Sequence, residues 1–233
     1  MPAIVEFPQV VRDALDQFGD LFACEPQHWR LAEYLTGLMV AANKTVTGIN
    51  GEFANTTDPY CLNRFLTEVE WDQNALNERR LELLQHDPHT RYSAQGVIAI
   101  DDTLIDHHGK FIKDVGWFWD HAKERNKIAH DYLFVNYVCT SGKPQLGTGD
   151  CQLRDGQGQT RHMYVVMLAY SLLMRQPRQD RARDWACCRL KTIGEACRAM
   201  LDETLRATRT WVVQQIQDYK KDRNDVFAKL RLT

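Results

Sequence analysis

Two stretches constrain this chain more than any other part of it. GVIAIDDT, ending at residue 103, and HDYLFVNYVC, ending at residue 139, are unbroken apolar runs of strand type, bounded by glycine and turn residues. In the second run Tyr132, Phe134 and Val138 alternate with Leu133, Val135, Tyr137 and Cys139, and Ser141 with Gly142 closes it. Between the two, Trp117, Phe118 and Trp119 supply a further strand. Unbroken apolar runs imply a sheet covered on both faces. Two or three strands are too few to stand alone, so helices must cover them. The rest of the chain reads helical. The expected fold is therefore α-rich α+β: a helical region over 1–92, a small sheet within 93–145, and a long helical part over 146–233.

The helical signals are local and physical. PQVVRDALDQFGDLF repeats apolar residues at Val10, Val11, Leu15, Phe18 and Leu21, near helical spacing. A second helix runs through PQHWRLAEYLTGLMVAAN and breaks near Gly48 and Gly51. Asp58 followed by Pro59 is an N-cap with proline at the first helical position, ahead of YCLNRFLTE. NALNERRLELLQ follows Trp71 and Asp72. Short helices joined by tight turns fit either a helix-turn-helix-like DNA module, with Lys44, Asn63 and Arg64 as its polar contacts, or a helical cap with no ligand. RHMYVVMLAYSLLMR is a buried core helix closed by Pro177, too short to span a membrane. From Arg181 to Leu230 the pattern is again helical, with Leu190, Ile193, Cys197, Leu201 and Leu205 spaced for one buried face.

Composition narrows the class. Of 233 residues, 44% are hydrophobic and 26% charged, enough to bury a core. No secretory signal is recognisable at the start, and no apolar run is long enough for a membrane span. Seven cysteines, an odd number with no C-x-x-C pair, indicate reduced thiols in a cytoplasmic protein and do not meet zinc spacing. The net charge of −2 conceals an asymmetry: −7 over 1–96, −2 over 97–160 and +7 over 161–233. The basic third suits a surface that tracks phosphates, and equally a solvated arginine-rich helix.

The chemistry gathers at Asp101 and Asp102. A carboxylate at the edge of a dry core is a good ligand for a hard cation, and strand alternation lets only one of the two face a given site. Solvated loop carboxylates are the bland alternative. His107 and His108 follow on a loop and read either as weak metal ligands or, more often for such a pair, as solvated histidines. Lys110, Lys113, Lys123, Arg125 and Lys127 form a basic stretch that lies along DNA or forms a solvated hairpin. Trp117 and Trp119 read as core before base-stacking platforms.

VIAIDDTLIDHHGKFIKDVGWFWDHAKERNKIAHDYLFVNYVCTSGKP resembles the start of the catalytic domain of bacterial insertion-sequence transposases, DDE-type enzymes of the DDE superfamily endonucleases. LGTGDCQLRDGQGQTRHMYVVMLAYSLLM resembles the segment after their catalytic glutamate, and DPYCLNRFLTEVEWD the region ahead of their catalytic domain. The resemblance implies an RNase H-like sheet whose two aspartates and one glutamate bind two Mg²⁺ or Mn²⁺ ions about 3.5–4 Å apart for phosphoryl transfer on DNA. It implies Asp101 as the first catalytic ligand, with Asp102 as the alternative metal ligand. By the same resemblance Arg161 and His162, with Arg154 just before them, present basic groups toward DNA. The DNA would be transposon ends, the protein partner a homodimer or a full-length transposase.

The sequence departs from that family at one place. TSGKP runs within a few residues into LGTGDCQLRD, where members carry further strands, the second aspartate and the glutamate. The junction between Lys143 and Gly147 reads as an internal deletion. No glutamate lies between Glu124 and Glu195, and Asp150 and Asp155 read as loop or capping residues. The expectation is a truncated RNase H-like remnant and a transposase-related DNA-binding protein, its catalysis lost or crippled. The alternatives are a nuclease rebuilt from two subunits and a non-enzymatic regulator that binds transposon ends or the full-length enzyme.

Overall fold

The computed structural model describes residues 4–55, 58–92, 97–106, 115–138, 155–178, 185–186 and 189–217. His107, His108, Lys110, Lys113, Asp150 and Arg154, named above, lie outside the described residues. So do Cys139, Cys151, Cys187, Cys188 and the junction itself. Described cysteines Cys24, Cys61 and Cys197 are free thiols, and burial pushes the Cys197 thiol up from its ordinary value.

Seven α-helices and three strands are described: α1 Gln9–Phe18, α2 Glu25–Val40, α3 Val46–Gly51, α4 Pro59–Thr67, α5 Gln73–His86, β1 Val97–Asp106, β2 Gly116–Asp120, β3 Arg125–Val138, α6 Gly156–Arg178 and α7 Ile193–Gln217. A single 3-10 turn, Gly19–Leu21, ends α1. The expected starts are where the capping chemistry puts them. Asp58 accepts the Tyr60 amide at 2.9 Å with Pro59 inside the first turn, and Asp72 accepts from the Asn74 and Ala75 amides at 2.8 and 3.1 Å. Gly48 and Gly51 do not simply break a helix: they lie in α3, whose N-cap Thr45 accepts the Gly48 amide.

The core belongs to the helices. Residues 31–39 of α2 are all buried, so this helix is covered around its whole circumference. Gly37 is where α3 comes closest. A Cβ there would stand 2.2 Å from Ile49 Cγ2 and 2.8 Å from its Cβ, so only glycine admits this approach. Glu33 is buried in the same helix. Its carboxylate pairs with Arg30, and desolvation holds its pKa above the ordinary value. The core continues into α6 through Val165, Leu168, Ala169, Leu172 and Leu173, and into α7 through Ala196, Ala199 and Met200. Helices before and after the sheet segment thus share one hydrophobic core.

Two helical expectations need correction. The region after Arg181 is not one helix: residues 189–192 are non-helical, and α7 starts at Ile193. Thr192 and Glu195 form a capping box there. Glu195 Oε2 accepts the Lys191 and Thr192 amides, and Thr192 Oγ1 accepts the Glu195 amide. The buried face of α7 is also rotated from the one expected. Ala196, Met200, Thr204 and Thr208 point inward, while Leu201 and Leu205 are exposed. Small residues and threonines let α7 lie close to α2, so the larger leucines fall outside.

The sheet is antiparallel, in the order β1-β3-β2. It differs from expectation in extent and in cover. β1 runs on to Asp106, so Asp101 and Asp102 stand in mid-strand opposite Phe134 and Leu133, not at a strand end. β3 begins five residues before His130. Neither sheet face is fully covered: Ile100 is 64% and Leu133 69% exposed on one side, Trp117 74% and Trp119 49% on the other. Trp117 and Trp119 are therefore not core. Only Ile105, Ala129, His130 and Asp120 among the described sheet side chains are buried.

Candidate functional site

Mid-strand β1 is the centre of the candidate site. Asp102 is exposed and stands opposite Leu133; the Asp101 backbone pairs with Phe134. Among the described residues no group of three or more His, Cys, Asp or Glu side chains could hold a metal ion. The described donor set therefore does not fit a two-ion centre, and no step through a metal follows from it.

The other carboxylates the sequence offers have structural posts. Asp155 accepts the Gly158 amide at 2.9 Å and starts α6, five residues earlier than the RHMY pattern indicated. Glu124 sits in the β2–β3 turn at φ 47°, a left-handed conformation uncommon outside glycine. Glu195 closes the α7 capping box, and the two amide hydrogen bonds hold its carboxyl below the ordinary value.

The charges on the sheet are organised around Lys127. Its ammonium lies 2.6 Å from Asp106 Oδ1 and 3.0 Å from Asp120 Oδ2, and Lys123 stands 3.5 Å from Asp106. The three positions share one sheet face by register. Hydrogen bonding to Lys127 holds both aspartates below the usual carboxylate range and raises Lys127 in turn. Lys127 is thus an internal tie. Arg125 remains exposed, and Lys123 is half-committed.

The residues expected to meet DNA divide sharply. Arg161 is 2% and His162 1% exposed. The Arg161 guanidinium donates to the carbonyls of Val69 at 2.6 Å, Trp71 at 3.1 Å and Leu66 at 3.2 Å, and lies 4.7 Å from the Trp71 ring centroid. It bolts α6 to the turn between α4 and α5, where the terminal carbonyls of α4 lack helical partners. Desolvation lowers its pKa from an ordinary value so high that the charge is kept. His162 Nδ1 meets the Tyr34 hydroxyl at 2.7 Å inside the core. Neither side chain presents a basic group at the surface. Both lie in the second turn of α6, not at its exposed end, because the helix begins at Gly156.

Lys44 is half-buried and donates to the carbonyls of Leu38 and Ala41, closing the C-terminus of α2. Arg64 is exposed on α4 and pairs with Glu68 at 2.8 Å, one turn on. Asn63, proposed alongside it, accepts from Thr67. Arg198, Arg206 and Arg209, which belong to none of the motifs above, stand exposed on α7. The +7 charge of the last third was their only sequence signal.

No helix of the described residues is long and apolar enough to cross a membrane. The family described as DDE superfamily endonuclease matches the chain over residues 18–141, just over half its length and spanning α2 through β3. No curated protein and no solved structure matches it.

Proposed function

The chain belongs to the DDE superfamily endonucleases, and from that premise we propose that it is a transposase-related protein that binds DNA, with strand-transfer chemistry lost or crippled. The observation that carries this is the link between β3 and α6. The family match stops at residue 141, at the edge of the 143–147 junction. From 139 to 155 the chain holds Asp150, Asp155 and no glutamate. Asp155 caps α6, and Glu124 and Glu195 hold turn and cap positions. An internal deletion accounts for all of this. Enzymes of this superfamily generally use divalent metals, and Asp101 alone, with Asp102 beside it, is half a corner of such a site.

DNA as the partner is supported by the family and by the exposed arginines of α7, in the third of the chain that carries net charge +7. Arg64 on α4 and Arg125 at the start of β3 are exposed as well. An insertion-sequence origin fits the same premise.

The test uses the full chain and duplex DNA from the flanks of its own gene, beside a random duplex of equal length. The expected result is retention on DNA that weakens steeply between about 50 and 200 mM salt, with no nicking in Mg²⁺ or Mn²⁺. Cation-dependent nicking that Asp101→Ala abolishes would overturn the inactive assignment. Absence of any salt-sensitive retention would overturn the binding assignment.

A further inference from the structure

The β2 edge carries two exposed tryptophans that the DNA-binding assignment does not use. GWFWD is five residues long, and among the described residues it is paired only along β3. Trp117 and Trp119 lie two residues apart, hence on one face, at 74% and 49% exposure. Exposed edge strands are normally guarded by lysine, proline or an inward charge. β2 has no lysine or proline. Its one charge, Asp120, is taken up by Lys127 and by the Ala122 and Lys123 amides at 3.0 and 3.2 Å.

We propose that β2 is the contact through which two copies of this chain associate, strand against antiparallel strand about a twofold axis at Phe118. The strand is self-complementary in that register. Phe118 is its central residue, so Trp117 of one copy faces Trp119 of the other, twice over, and Gly116 faces Asp120. Cross-strand aromatic pairs favour association, and no like charges are opposed. The other edge fails the same test. β1 paired with itself about its centre would set Asp101 against Asp102 of the second copy. Joining at β2 merges the two three-stranded sheets into one and removes the shortfall of strands in each.

The size of the contact sets its strength. At these exposures the two indoles leave roughly 300 Å² open on each copy, taking about 250 Å² for a whole tryptophan. A stable complex buries about 800 Å² per partner. The tryptophans supply under half of that, so the association is weak and concentration-dependent. Trp-mediated stacking on unpaired bases is disfavoured by charge. The described strands and their turn carry six acidic residues (101, 102, 106, 120, 124, 131) against three basic ones (123, 125, 127).

The test is sedimentation of the full chain from about 1 to 100 µM without DNA, so that it stands apart from the DNA-binding assignment. The expected result is a shift from monomer to dimer that Trp117→Thr with Trp119→Thr weakens at least tenfold, while Leu201→Lys with Leu205→Lys on α7 leaves it unchanged. Hydrogen exchange of the unaltered chain should show β2 amides gaining protection as concentration rises. A chain that stays monomeric to about 100 µM, a dimer that survives the double threonine change, or protection that appears on α7 instead would each overturn the proposal. So would β2 protection that responds to oligo(dT) and not to protein concentration.

Discussion

Replacing Arg161 with methionine separates an internal bolt from a DNA contact. The guanidinium is 2% exposed and donates to the carbonyls of Leu66, Val69 and Trp71 across the α4–α5 turn. Methionine keeps much of the volume and offers no donor. A buried acceptor left unsatisfied costs about 1–3 kcal/mol. Three of them, with about 1 kcal/mol for the contact with the Trp71 ring, set the upper range. The guanidinium's own desolvation cost disappears with it and offsets part of the loss. The net is about 3–5 kcal/mol of lost stability, and at this chain length about 8–15 °C in Tm. Arg161→Lys should recover only a fraction, since one ammonium cannot reach three carbonyls in a fork. The assay is urea unfolding followed by circular dichroism, beside DNA retention as a function of salt. Arg161→Met should unfold at lower urea and, while folded, keep the salt slope of the unaltered chain. An unchanged midpoint together with a slope reduced by about one would refute the bolt and restore a phosphate contact.

Two further outcomes follow from the geometry. Gly37→Ala forces a Cβ into Ile49 and should cost about 1–3 kcal/mol in the same unfolding assay, partly restored by Ile49→Ala. The Lys127 network makes sheet stability acid-sensitive. Asp106 and Asp120 titrate below their unfolded values, so their contribution is fully present above the ordinary carboxylate pKa near 4 and is lost as pH falls through the lower folded values. Amide protection in β2 and β3 should therefore hold from pH 7 to about 4 and fall below that, whereas Lys127→Met should begin lower at pH 7 and lose less on acidification.

The starts of α4 and α5 were legible because each is set by a residue and its near neighbours: Asp58 with Pro59, and Asp72 with the amides two and three residues on. The small strand count and the helical majority were legible for the same reason, since runs of apolar residues report local periodicity. The family was legible too, because long motif blocks around VIAIDDT survive in the linear text. Which surface each side chain meets was not. Arg161 and His162 look like an exposed basic pair until α4, α5 and α2 close over them, and a carbonyl cluster formed by a distant turn leaves no mark near residue 161. The leucines of α7 and the tryptophans of β2 look like core, yet the structure leaves them exposed, because apolar periodicity says which residues share a face, not whether anything covers it. Sequence by itself determined most of the helices and strands, the caps of α4 and α5, and the family, all of which depend on neighbours along the chain. Only the tertiary structure decided that the basic pair is buried, that Asp101 and Asp102 sit in mid-strand, and that Trp117 and Trp119 stand exposed, since burial arises from segments brought together across the fold.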